Sequence, residues 1–351
     1  MKRLMMVAVA TMSVAAFAAT PKETSDALIK ESHALLKTDA AKAFELRQKA
    51  LAVEGLKESE VAKMLEGVKW DFTIVSRDLE VGKKACEFLA VHPKAKPGLK
   101  AGALQWLAER SGKLEDYRKA FSVPGIAPRD RDYSMLKAAK NLYKKQKANA
   151  DALLDQLLAN TETTPQVRYE ALMFRAEQAK RANDEAKLFE FAQAAQKVEG
   201  KFDRRQAFYI LANWELKKSA YARHPDPDQF PRYLKWMDAA YESAVKDMGL
   251  KPEDASQVYL LVAEKIMWHM GRPDKDSKLA RKFFEKAVSL GAKEGTGGQH
   301  WGSYGAVKHR LESLEATEAR FATFPNRNWR NEDGKFFAEL EKRLDAGKVV
   351  K

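Results

Sequence analysis

The sequence predicts an all-α fold, an α-solenoid of helix–turn–helix repeats, and three observations point there. Alanine outnumbers isoleucine 54 to 5, with abundant Leu, Lys, Glu and Gln. Small or unbranched side chains lose little rotamer freedom in a helix, whereas β-branched ones lose more. Segments with the pattern of a second helix recur at residues 43–51, 79–89, 114–121, 152–158, 185–198, 233–248 and 279–290. Their spacing is regular: Leu79, Leu114, Leu153 and Leu188 stand 35, 39 and 35 residues apart, and Leu188, Leu234 and Leu279 stand 46 and 45 apart. A fixed step of roughly 20–50 residues marks a repeat architecture, because each unit buries its apolar face only against a neighbour.

Taken in order, residues 1–18 come first and are set aside. Lys2 and Arg3 precede an apolar stretch over residues 4–14, and Ala16, Phe17 and Ala18 make a small–x–small cleavage site. That is the layout of a bacterial-type secretory signal peptide. The apolar stretch falls short of the roughly 20 residues that span a bilayer. No cysteine follows the cleavage site, which disfavours a lipoprotein. The expected mature chain starts at Ala19 and is exported, periplasmic or secreted, with no transmembrane segment.

Residues 20–24 form a short polar leader. Helical pairs then follow, separated where glycine and proline fall: Pro93, Pro97 and Gly98, Gly112, Pro124 to Pro128, Pro165, Gly200, Pro225 to Pro231, Gly249 to Pro252, Gly271 to Pro273, and Gly291 onward. Proline fits a helix start and disrupts an interior, so these are breaks between helices. Ser59, Asp130 or Asp132, Asp254 and Asp276 are the expected caps. Residues 68–74 carry two patterns. Val68, Trp70, Phe72 and Ile74 alternate as a strand would, while Val61, Leu65, Val68 and Phe72 follow helical spacing; the helical neighbourhood decides for the helix. Residues 19–200 read as compact N-terminal repeats. Residues 201–351 read as longer C-terminal repeats with a capping helix, rich in aromatics and continuous with the first set.

The one cysteine, Cys86, lies in an apolar helical pattern and reads as a small buried hydrophobe. An exported chain with one cysteine has no internal disulfide, so packing must stabilise it. The formal net charge is +13, and a surplus of that size attracts anions over about a Debye length, roughly 8 Å at physiological salt. At an extracytoplasmic address this excludes nucleic acid as the natural partner and leaves acidic glycans, envelope phosphates and acidic proteins. Solubility of a large helical surface is the plainer account of the same surplus.

The repeat resembles a tetratricopeptide repeat. In LARKFFEKAVSLGA, Ala280, Phe284 and Ala287 have that family's small–large–small spacing on a second helix. Leu104, Ala108, Gly112, Leu114 and Phe121 fit the run from first helix through turn to second helix. Ala85, Phe88 and Pro93 close another unit, and Trp301, Tyr304 and Gly305 look like the opening of a further one. Met237, Val81 and Tyr117 stand where the family favours alanine, and the later steps exceed its 34-residue period. The resemblance implies a right-handed α-solenoid whose concave groove binds peptides or proteins, and it implies no reaction and no cofactor.

Chemistry-bearing patterns are sparse. The histidines His33, His92, His224, His269, His300 and His309 show no metal-ligand spacing. The glycine cluster from Gly291 to Gly305 lacks the Gly-Lys-Ser/Thr of a phosphate loop and no strand precedes it; it reads as a connection, with His300, Trp301 and Tyr304 as binding candidates. Glu312, Glu315 and Glu318 read as a solvated helix face rather than a glycosidase pair. Lys137, Lys140, Lys144 and Lys147 follow steps of three, four and three, which places them on one flank of a helix over residues 132–148. Arg327, Trp329 and Arg330 form a second cationic and aromatic group. The expectation is an exported scaffold, not an enzyme, that binds a peptide or protein partner in the cell envelope. Binding of an acidic or cell-wall glycan through these basic and aromatic residues is the alternative, and a glycan-cleaving enzyme the third reading.

Overall fold

The computed structural model describes residues 19–217, 229–269, 277–298 and 302–322. Residues 1–18, expected from the sequence to be a signal peptide, fall outside them. The described residues form helices and turns, with no strand among them, and helices adjacent in sequence pack as neighbours. None of their helices is long and apolar enough to cross a membrane. The chain divides into two compact units, Met1–Leu154 and Asp155–Lys351.

In the first unit α1 (Pro21–Leu35) pairs with α2 (Ala40–Leu51), and α3 (Glu58–Trp70) runs through a π turn (Asp71–Val75) before α4 (Leu79–Val91). Next come α5 (Pro97–Ser111) with α6 (Leu114–Phe121), then α7 (Pro128–Leu142) and α8 (Lys147–Ala159), which reaches the boundary of the unit. The starts have local causes. Thr20 and Glu23 form a capping box on α1, and Asp39 and Asp78 accept from the first free amides of α2 and α4. Proline occupies the first turn of α1, α5 and α7, where its missing N–H costs nothing. Gly112 ends α5 at φ 65°, a left-handed position that favours glycine.

Two expected caps moved. Ser59 lies inside α3, whose start is fixed by Glu60 reaching back to the Lys57 amide at 2.9 Å. Asp130 and Asp132 lie inside α7, because Pro128 already supplies the helical φ of its first turn.

The core of this unit is small against large. Ala43, Ala85 and Ala103 are fully buried, and the Phe44 ring meets Phe72 and Phe88 edge-on at centroid distances of 5.2 and 5.9 Å. Such geometry sets a ring's positive edge against its partner's negative face. Two buried serines fasten α1 to α2, Ser32 donating to the Ala43 carbonyl at 2.8 Å and Ser25 to that of Ala50 at 3.2 Å. The Asp71 carboxylate, at the start of the π turn, accepts from buried Arg47 of α2 and lies 3.3 Å from His33 Nε2 of α1.

The second unit contains α9 (Pro165–Arg181) with α10 (Glu185–Gln196) and α11 (Arg205–Lys217) with α12 (Gln229–Lys246). A single turn, α13 (Pro252–Ala255), leads into α14 (Gln257–His269), which packs on α15 (Ser277–Ser289) and α16 (Tyr304–Ala322). Asp254 belongs to that short α13 rather than capping a longer helix. Phe230 is the hub of its core, 5.5 Å from Tyr233 and 6.2 Å from Phe283. Polar ties lock the last helices: Arg281 makes two 2.5 Å bonds to Glu315, and Arg310 donates to Glu264 at 2.9 Å. The step from Leu234 to Leu279 runs through most of the 18-residue α12 and the added turn α13.

Candidate binding site

The four-lysine flank is not one helix face. The Gln146 amide bonds back to Leu142 at 2.7 Å, while the Gln146 side chain donates to the Gly112 carbonyl at 2.8 Å. That pairing fixes a turn between α7 and α8, so Lys144 sits in the turn and Lys147 opens α8. Lys147 Nζ stands 5.8 Å from the centre of the Tyr143 ring. Only Lys137 and Lys140 stay together, and Tyr133, four residues before Lys137, shares their side of α7.

What lies opposite this reduced face comes from α3 and α5. Lys137 Nζ is 2.6 Å from Glu109 Oε1 of α5. The Lys69 ammonium of α3 occupies a notch over Gly102 of α5, where a Cβ would lie 2.4 Å from its Nζ. Burial pushes Lys69 below the ordinary lysine value and the Lys137 charge adds to that, while Cys86 and Glu109 act in the other direction. Two ammonium groups thus flank one carboxylate. Exposed aromatic and aliphatic side chains lie along the same three first helices: Trp70 is 62% exposed, Ile74 52% and Tyr133 54%. Trp106 of α5 carries the Arg110 guanidinium 3.1 Å from its ring centre, a stacked cation–π arrangement.

Helical spacing explains the exposed pair, since each lies two residues, about 200° around the helix, from a buried neighbour. Val68 and Phe72 are fully buried whereas Trp70 and Ile74 face out. The doubled pattern of residues 68–74 is therefore one stripe for the core and a second for the surface. That second stripe is the signal by which the face can be found in the sequence. π turns inside helices occur frequently at functional sites.

The remaining expected residues fall elsewhere. Tyr304 opens α16 and packs against Phe284 at a centroid distance of 5.2 Å, half-buried at the edge of the second unit's core. The glycine-rich connection before it is tightly seated. A Cβ at Gly302 would lie 2.5 Å from Leu261 Cδ2, and one at Gly297 would lie 2.6 Å from the Gly302 carbonyl oxygen. His300, Trp301, Arg327, Trp329 and Arg330 lie outside the described residues, as does Asp276. Among the described residues no three His, Cys, Asp or Glu side chains are grouped to hold a metal ion. Cys86 is fully buried, and burial pushes its thiol up to about 11, which keeps it protonated and a poor nucleophile at neutral pH. No protein-family model matches this chain, and no curated protein matches it.

Proposed function

We propose that this chain is an exported, tetratricopeptide-like repeat scaffold that binds a peptide or protein partner in the cell envelope and carries out no reaction of its own. The observation that carries the reading is the face formed by α3, α5 and α7. These helices and the π turn expose Trp70, Ile74 and Tyr133, and α3 and α7 bring Lys69 and Lys137 to Glu109 of α5. Exposed large aromatics on a rigid helical frame are typical of interface anchors. A cationic surround raises the encounter rate with an acidic partner. Export rests on the arrangement of Lys2, Arg3 and Ala16 to Ala18 in the sequence.

The test is photocrosslinking in the native envelope with the reactive group at residue 74, repeated in a Trp70→Ala, Lys137→Glu variant. A captured protein that disappears in the variant supports the reading. Capture that the variant leaves unchanged removes this face from it. The exposed Trp70 and Tyr133 rings beside lysines also suit an acidic glycan; salt-sensitive retention on envelope glycan with no captured protein selects that alternative.

A further inference from the structure

On the far side of α5 from Gly102 and Glu109 the first unit has an open cleft of about 550 Å³, between α4 and α6. Leu104, Leu107 and Ser111 line it, and at 100° per residue they lie about 170° around α5 from the Lys69 notch. The two helices that flank it differ in length. α6 has 8 residues and α4 has 13, about 12 Å against about 20 Å. Leu79, at the start of the longer helix, is 62% exposed.

The charges around the cleft divide into two sets. On the α5 and α6 side they are satisfied internally: Lys119 donates to Asp116 at 2.7 Å, Ser111 also bonds Asp116, and Arg110 lies over Trp106 and donates to its carbonyl at 3.0 Å. On the α4 side Glu80, Lys83 and Glu87 line the wall on successive turns. No ion pair holds any of the three among the described residues.

We propose that this cleft is a docking groove for an amphipathic helix of a partner protein, one with leucine-like side chains along one stripe and a basic–acidic–basic row beside it. Leu79, Leu104 and Leu107 receive the apolar stripe, and the acid–base–acid row of α4 selects the complementary charges. Helices with such stripes seat in apolar grooves through anchors at helical spacing, and an unmatched charge row discriminates among partners more than it adds affinity. The groove rests on the scaffold reading above but uses none of the residues of the α3, α5 and α7 face, so the two fail separately.

The experiment uses the mature chain and two fluorescein-labelled helical peptides with identical leucine stripes. One carries Lys, Glu and Lys at the spacing of Glu80, Lys83 and Glu87; the other carries Glu, Lys and Glu. Anisotropy titration should show the first binding about tenfold tighter. The E80K/K83E/E87K variant should reverse that order, and Leu79→Glu, a change at an exposed position, should weaken both peptides. Equal affinity for the two peptides, no reversal in the swapped variant, or no effect of Leu79→Glu would each overturn the proposal. Trp70→Ala should leave the peptide affinities unchanged; if it weakens them, the peptides bind the other face and the groove is refuted.

Discussion

Replacing Asp71 by asparagine should destabilise the first unit by about 3–5 kcal/mol, the range for removing one partner of a buried ion pair. The reasoning starts from Arg47, which is only 3% exposed and whose Nε has no partner. Its guanidinium is held by the Asp71 carboxylate, and burial already pulls Arg47 below its ordinary value while Asp71 opposes that. An asparagine keeps the shape and removes the compensating charge. His33 is half exposed and adds little, since solvent screens it. The double variant Arg47→Met, Asp71→Leu removes both charges and should recover most of the loss, because a buried pair replaced by apolar groups of similar size is often neutral or better. Hydrogen exchange read by mass spectrometry on peptides from α2 and α3 reports the opening free energy of this unit alone. An Asp71→Asn cost below about 1 kcal/mol, or a double variant as unstable as the single one, would falsify the idea that the pair matters through its burial.

Gly82→Ala should cost about 1–3 kcal/mol by overpacking, because its Cβ would lie 2.8 Å from the Phe72 carbonyl oxygen and 3.1 Å from the Trp106 ring. A displaced Trp106 should shift the emission maximum, and unchanged emission with unchanged stability would contradict the close approach. Gln105 is buried with neither amide atom partnered, so Gln105→Met should raise the denaturant midpoint by a gain of about 1–3 kcal/mol; a lowered midpoint would mean that the amide has a bonding role. In the second unit burial pushes Tyr169 and Tyr209 up to about 12 from the usual 10.0. Their neutral forms are favoured in the folded state, so this contribution is complete below pH 10 and is lost as the pH rises through about 12. Denaturant titrations of this unit at successive alkaline pH values should show the decline, and a flat profile across that window would exclude it.

The helices were legible to within a few residues where periodicity and punctuation agreed. Residues 114–121 match α6 at both ends, and the second-helix segment beginning at residue 185 matches the start of α10. The misreading lies between α7 and α8, where Lys144 and Lys147 continue a helical spacing that the chain does not follow. The deciding contact, Gln146 to the Gly112 carbonyl, joins residues 34 apart, and no local pattern contains it. The proposed binding face was half legible for a similar reason. Lys137 was visible as part of a charged row, but Lys69 and Glu109 come from two other helices. Their approach depends on Gly102, which looks in the sequence like a helix defect rather than room for an ammonium group. The cleft beside α4 was hidden because three helices line it, and the exposed Leu79 is indistinguishable by pattern from a core leucine.

The sealed position of Cys86 has a practical consequence. It is the sole cysteine of the chain, and its thiol is both covered and held protonated at neutral pH. Maleimide reagents should therefore pass the native protein by, leaving any thiol introduced by Lys83→Cys or Ile74→Cys as the only addressable handle. Each of the two faces can be fitted with a dye or a tether without first stripping the wild-type residue from the interior.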